Sequence, residues 1–61
     1  GINYLLSSFY MHTGNNEKAY RHLSIALNLD KELFAEFADI FPSERFHRKI
    51  KKLLEENGLI S

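Results

Sequence analysis

A chain of 61 residues makes one domain at most, and at this length folding removes only about 60% of the surface the unfolded chain exposes. It has no cysteine, which excludes disulfides and thiolate chemistry, and its eight basic and eight acidic side chains cancel, which withholds the usual electrostatic reason to seek nucleic acid or an anionic membrane. No apolar run exceeds three residues, far short of the roughly 20 that span a bilayer.

Apolar residues are 44% of the chain, enough to drive folding. Leu, Ala, Glu and Lys are plentiful, and only six residues are β-branched, so helix is favoured over strand. The first predicted helix covers residues 2–12, with Ile2, Leu5, Leu6, Phe9 and Tyr10 along one side. Thr13-Gly14-Asn15-Asn16 ends it, offering a glycine for a positive φ and two asparagines to cap the next helix. The second helix is predicted over 16–28, with Ala19, Tyr20, Leu23, Ala26 and Leu27 inward and Glu17 at the favourable end of the dipole. Asn28-Leu29-Asp30 is a short break, with Asp30 as the next cap. A third helix is expected over 31–41, carrying Leu33, Phe34, Phe37, Ala38, Ile40 and Phe41, and Pro42 stops it at Phe41. Ser43 is the expected cap of a fourth helix over about 44–57, with Phe46, Ile50, Leu53 and Leu54 on one face. Asn57-Gly58 is its stop, with Leu59 or Ile60 folding back onto the last turn.

The charges are unevenly spread. Asp30, Glu32, Glu36, Asp39 and Glu44 have only Lys31 among them, and Arg45, Arg48, Lys49, Lys51 and Lys52 then follow without an acid. These runs read as solvated faces that attract one another, or as a binding surface with two poles. The first helix lacks a capping Ser, Thr, Asp or Asn, so Gly1 reads as a cut point or cloning scar in something longer.

The stretch from Asn3 to Lys31 resembles one tetratricopeptide repeat. Leu6, Tyr10, Ala19 and Ala26 fall on the repeat's leucine, tyrosine, pivotal alanine and second small position, and Leu23 takes its aromatic position. Gly14-Asn15-Asn16-Glu17-Lys18-Ala19 looks like the turn between its helices, and Ala26-Leu27-Asn28-Leu29-Asp30 like the end of its second helix. Ser7 and Ala19 are small where two such helices cross. Asn3, Ser7 and Lys31 depart from the pattern's tryptophan, glycine and proline, and residues 31–61 do not repeat it. That second half resembles the helices that cap a repeat array, with Phe34, Phe37 and Phe41 covering the second helix and Glu36, Asp39, Lys49 and Lys52 meeting water. The resemblance implies peptide binding in a groove lined by the first helix, here by Tyr4, Ser8, Met11 and His12. It also implies a bare outer face on that helix, open to a second copy.

Little in the chain suggests catalysis. His12, His22 and His47 lack metal-ligand spacing, and the latter two are expected at partly exposed positions beside the core. The five serines have no nucleophile-elbow context, and Gly1, Gly14 and Gly58 form no phosphate loop. Asp39, Glu55 and Glu56 read as surface carboxylates. Phe34, Phe37, Phe41 and Phe46 read as core, or alternatively as a groove for a partner helix.

The expected architecture is all-α. Four short helices form a tetratricopeptide-like helix-turn-helix pair (1–30) and two capping helices (31–61), of the right-handed α-α superhelix type, in one domain over 1–61. The expected function is non-catalytic protein–protein interaction within a repeat scaffold. No cofactor or metal is called for, and the partner is a protein or peptide, or a second copy bound through the first helix. The alternative is a small helical nucleic-acid-binding domain using Arg45, Arg48, Lys49 and Lys52. The acidic third helix would oppose phosphate beside it, and no membrane partner is expected. The absence of cysteine fits a cytoplasmic setting.

Overall fold

The structure is a computed structural model and describes residues 1–42 and 47–60. Helix α1 spans Ile2–His12 and α2 spans Asn16–Asp30. The turn between them is closed by backbone bonds that the local sequence favours. Gly14 takes φ 82°, which lets its N–H donate to the Met11 carbonyl at 3.2 Å and the Asn15 N–H donate to Tyr10 at 2.8 Å. These two bonds satisfy carbonyls that the end of α1 would leave orphaned. Asn15 then caps α2, its Oδ1 accepting from the Lys18 N–H at 3.3 Å.

Helix α2 continues two residues beyond the expected stop and breaks at Asp30, whose φ of −159° and ψ of 89° are not helical. The Asp30 carboxylate accepts from the Leu33 N–H at 3.3 Å, the capping role its position suggests. The helix expected over 31–41 is not continuous. It resolves into a 3-10 turn, Lys31–Leu33, a single α-turn, α3, Phe34–Phe37, and a second 3-10 turn, Ala38–Ile40. Phe34 and Phe37, three apart on α3, lie on one side of it, and both meet Tyr4, with ring centroids 6.2 Å and 5.3 Å away. Phe41 then swings out to φ −87° and ψ 139°, the extended geometry that a following proline demands, and its ring stacks on Phe34 at 5.5 Å.

The last helix, α4, spans Arg48–Glu56, shorter than the expected 44–57. Ser43, Glu44, Arg45 and Phe46 lie outside the described residues, so the expected Ser43 cap and the Phe46 core position do too. The described helix is instead capped by His47, extended at φ −63° and ψ 149°, with Nδ1 accepting from the Lys49 N–H at 3.3 Å. Its other end repeats the α1 device. Gly58 takes φ 72°, its N–H donates to Glu55 at 3.0 Å, and the Leu59 N–H donates to Leu54 at 2.9 Å.

The chain is therefore all-helical among the described residues, with three regular helices and one broken segment rather than four helices. The core is Tyr4, Ala19, Leu23, Ala26, Leu27, Phe34, Phe41, Ile50 and Leu54. It lies between one face of the α1/α2 hairpin and a cover made by residues 31–41 and α4. Phe34 and Phe41 share that core with Ala19, Leu23, Ala26 and Leu27 of α2, and the cover also reaches α1, where Phe37 stacks on Tyr4 and Phe34 meets the same ring at a tilt of 55°. Among the described residues, no helix is long and apolar enough to cross a membrane.

Added Cβ atoms at Gly14 and Gly58 would meet nothing within 4 Å, so only backbone strain opposes a side chain there. Gly14→Ala and Gly58→Ala should each lower the unfolding free energy by about 1 kcal/mol. Urea unfolding followed by circular dichroism should show this, with additive losses in the double variant.

Candidate functional site

Helix α1 has no Asp, Glu, Lys or Arg, and its two serines sit side by side in the middle. The structure turns those serines inward. Ser7 is fully buried and donates from Oγ to the Ala19 carbonyl at 2.8 Å. Ser8 is buried and donates to the Ile40 carbonyl at 2.7 Å. Tyr4, one turn earlier, donates from its hydroxyl to the Asp30 carbonyl at 2.6 Å. Two of those acceptors stand at the ends of helical segments, so α1 ties the end of α2 and the end of the 31–40 segment to itself. Among the described residues no buried side-chain N or O atom is left without a partner.

This places the four residues expected to line a peptide groove. Tyr4 and Ser8 are buried beneath Phe34, Phe37 and Ile40, Met11 is half-buried against the core, and His12 is exposed. The His12 Nε2 faces the Ile40 carbonyl at 3.0 Å and so carries the hydrogen. The face is occupied by the chain's own residues 34–41 and does not open as a groove. Burial, reinforced by Asp30, lifts the Tyr4 phenol above its ordinary value of 10.0.

The opposite face of α1 is apolar and bare. Ile2, Leu5 and Phe9, expected along one side of the helix, are 65%, 49% and 58% exposed, and Leu6 is half-buried beside them. Ile2 and Leu29 of α2, itself 75% exposed, border one hollow of about 140 Å³ that Ala26 and Leu33 also line. Ile25 lies one turn before Leu29 on the same side of α2 and is 41% exposed. A polar seam runs along the join of the two helices. His22 lies flat against Tyr10 with centroids 5.5 Å apart, its Nδ1 donates to Asn3 Oδ1 at 3.0 Å, and Lys18 Nζ stands 5.5 Å from the Tyr10 ring centroid.

The basic run forms the outward side of α4. Arg48, Lys49, Lys51 and Lys52 are exposed, and Ile50 and Leu54 are buried behind them. Glu55 and Glu56 are exposed on the same helix one turn on, so its charge is mixed. Arg45 lies outside the described residues. Among the described residues no three His, Cys, Asp or Glu side chains gather to hold a metal ion.

The inward place of Ser7 was legible as the small residue where the two helices cross, and the structure sets it there against Ala19; Ser8, assigned to the groove, is buried on the Ile40 carbonyl, which no local signal indicates. No family model, no curated protein and no solved structure matches the chain.

A phenol held above its ordinary value favours the folded state while neutral. Stability is then complete below the unfolded value near 10 and falls as pH rises through the higher folded value. Tyr4→Phe should cost about 1 kcal/mol at pH 7 through the lost hydrogen bond. Thermal unfolding between pH 8 and 11 should also show a smaller alkaline decline in the variant than in the parent.

Proposed function

We propose that the chain is a non-catalytic protein–protein interaction module, the terminal repeat and cap of a tetratricopeptide-type scaffold. Its working surface is the outward face of the α1/α2 hairpin, and its partner class is an amphipathic helix. One observation carries this reading: Ile2, Leu5 and Phe9 point to solvent from a helix whose hydroxyls are buried. Small monomeric domains rarely turn their most apolar helix to water, and a contiguous exposed patch marks a place of contact. The repeat-like part is supported by Ser7 and Ala19, small and fully buried where the helices touch, and by the Gly14 turn. The surface differs from the groove that the resemblance implies, since the Tyr4 and Ser8 side is filled.

A phage selection of helix-forming peptides on the immobilised chain tests this reading. Selected peptides should shift the amide signals of Ile2, Leu5, Phe9 and Leu29. Leu5→Glu should weaken them at least about tenfold while leaving the circular dichroism unchanged. Shifts centred on α4 would overturn the assignment.

The competing reading, nucleic acid on α4, draws on the exposure of Arg48, Lys49, Lys51 and Lys52. It requires DNA or RNA binding that weakens steeply with salt and is lost in Lys49→Glu/Lys52→Glu. With Glu55 and Glu56 on the same helix and a net charge of zero, no such binding is expected at 50 mM salt.

A further inference from the structure

We infer that the occupant of the bare hairpin face is a second copy of this chain, docked with the two α1 helices antiparallel across a two-fold axis. The inference rests on the interaction-module reading and names its partner. Four observations converge on it.

The first is spacing. Ile2, Leu5, Leu6 and Phe9 stand at offsets of zero, three, four and seven, the anchor pattern of a helix that lies in an apolar groove. That pattern reads the same in both chain directions. A two-fold axis between Leu5 and Leu6 therefore sets Ile2 against Phe9 of the second copy and Leu5 against its Leu6. One helix supplies both halves of an isologous contact, as a two-fold interface requires. Antiparallel crossing also places each helix N-terminus by the other's C-terminus, the favourable dipole arrangement.

The second is relief. The hollow bordered by Ile2 and Leu29 lies at the N-terminal end of α1, and the antiparallel register brings the Phe9 ring of the second copy to that end. Ile2 belongs both to the hollow and to the apolar stripe, and the two-fold sets Phe9 of the second copy beside it.

The third is charge. Helix α1 carries no Asp, Glu, Lys or Arg, so meeting its own copy opposes no like charges. The chain has zero net charge, which removes long-range repulsion between copies. An anionic lipid surface, by contrast, would want Lys or Arg flanking the apolar stripe of α1, and α1 has none.

The fourth is size. The exposed parts of Ile2, Leu5, Phe9, Ile25 and Leu29 amount to roughly 500 Å² of apolar surface. Two such faces bury roughly 1,000 Å², the lower limit of a specific interface, so the dimer is of micromolar strength or weaker.

Sedimentation equilibrium of the full chain, from micromolar to millimolar and in 0.1 M and 1 M salt, tests the inference. The expected result is a monomer–dimer equilibrium that persists in 1 M salt. Phe9→Glu and Leu5→Glu should raise its dissociation constant at least about tenfold. Lys49→Glu/Lys52→Glu should leave it within about twofold, since α4 takes no part. Isotope-filtered NMR on a dimer of labelled and unlabelled chains should show Ile2-to-Phe9 contacts between copies, a readout that does not depend on any variant folding. A monomer at millimolar concentration would overturn the second copy. If that monomer still bound selected peptides through Leu5 and Phe9, the interaction-module reading would stand with another occupant; if it bound none, both would fall. A dimer indifferent to Phe9→Glu and Leu5→Glu, or a chain that cosediments with phosphatidylcholine vesicles in place of itself, would also overturn the inference.

Discussion

Three hydroxyls on one helix hold this fold together. Tyr4, Ser7 and Ser8 donate from α1 to carbonyls at 26, 12 and 32 residues' separation, at the end of α2, within α2, and at the end of the 31–40 segment. The Ser7–Ala19 bond is buried, and the other two are part-buried on residues that are themselves exposed. Leaving a buried group unpaired costs about 1–3 kcal/mol. The alternative rotation of α1 would bury more of Ile2, Leu5 and Phe9, gaining up to about 1.5–3 kcal/mol for each side chain buried completely. Those magnitudes are comparable, so shape decides between them. Ser7 is small enough to let α1 approach α2 at Ala19, and neither leucine nor phenylalanine would fit that crossing.

Once α1 is turned that way, it dictates much of the remaining architecture. Tyr4 presents a ring as well as a hydroxyl, and Phe37 stacks on that ring nearly parallel, at 14°. Phe34 meets the same ring and in turn stacks on Phe41, so the aromatic line runs from α1 through the whole 31–41 cover. Gly1 belongs to it too: a Cβ there would come within 2.6 Å of the Phe37 ring tip, so the start of α1 and the cover are closely fitted.

The ends of the elements were legible and the facing of α1 was not, for one physical reason. Gly14, Asp30, Pro42 and Gly58 act on the backbone within a few residues, and each does in the structure what its local chemistry demands. The core positions of α2 were legible as well, because Ala19, Leu23, Ala26 and Leu27 make a clean helical stripe; only Tyr20 left it. Helix α1 offered no such contrast. Apolar residues stand at 2, 4, 5, 6, 9, 10 and 11, so hydrocarbon points in most directions; Ser7 was legible as the small residue at the crossing with α2, and the inward turn of Tyr4 and Ser8 was not. Those two bond carbonyls 26 and 32 residues away, partners that only the tertiary fold supplies. The breaks within the 31–40 segment carry no local signal in the sequence either. Of the positions assigned to a ligand, Tyr4 and Ser8 are buried, while Ile2, Leu5 and Phe9 of the apolar side meet water.

The two sides of α1 consequently report on different equilibria. A change at Tyr4, Ser7 or Ser8 removes a donor on which α2 or the cover depends, so it acts on folding first and on any surface only through the fold. A change at Leu5 or Phe9 touches side chains already about half in water, so it leaves the core intact and acts on whatever covers that face. With nine described residues in the buried core, those equilibria are coupled by mass action. Any partner that binds only the folded hairpin adds its binding free energy to stability, and a partner identical to the chain makes stability rise with concentration. The same turn of α1 that satisfies the buried carbonyls therefore leaves the fold open to stabilisation from outside.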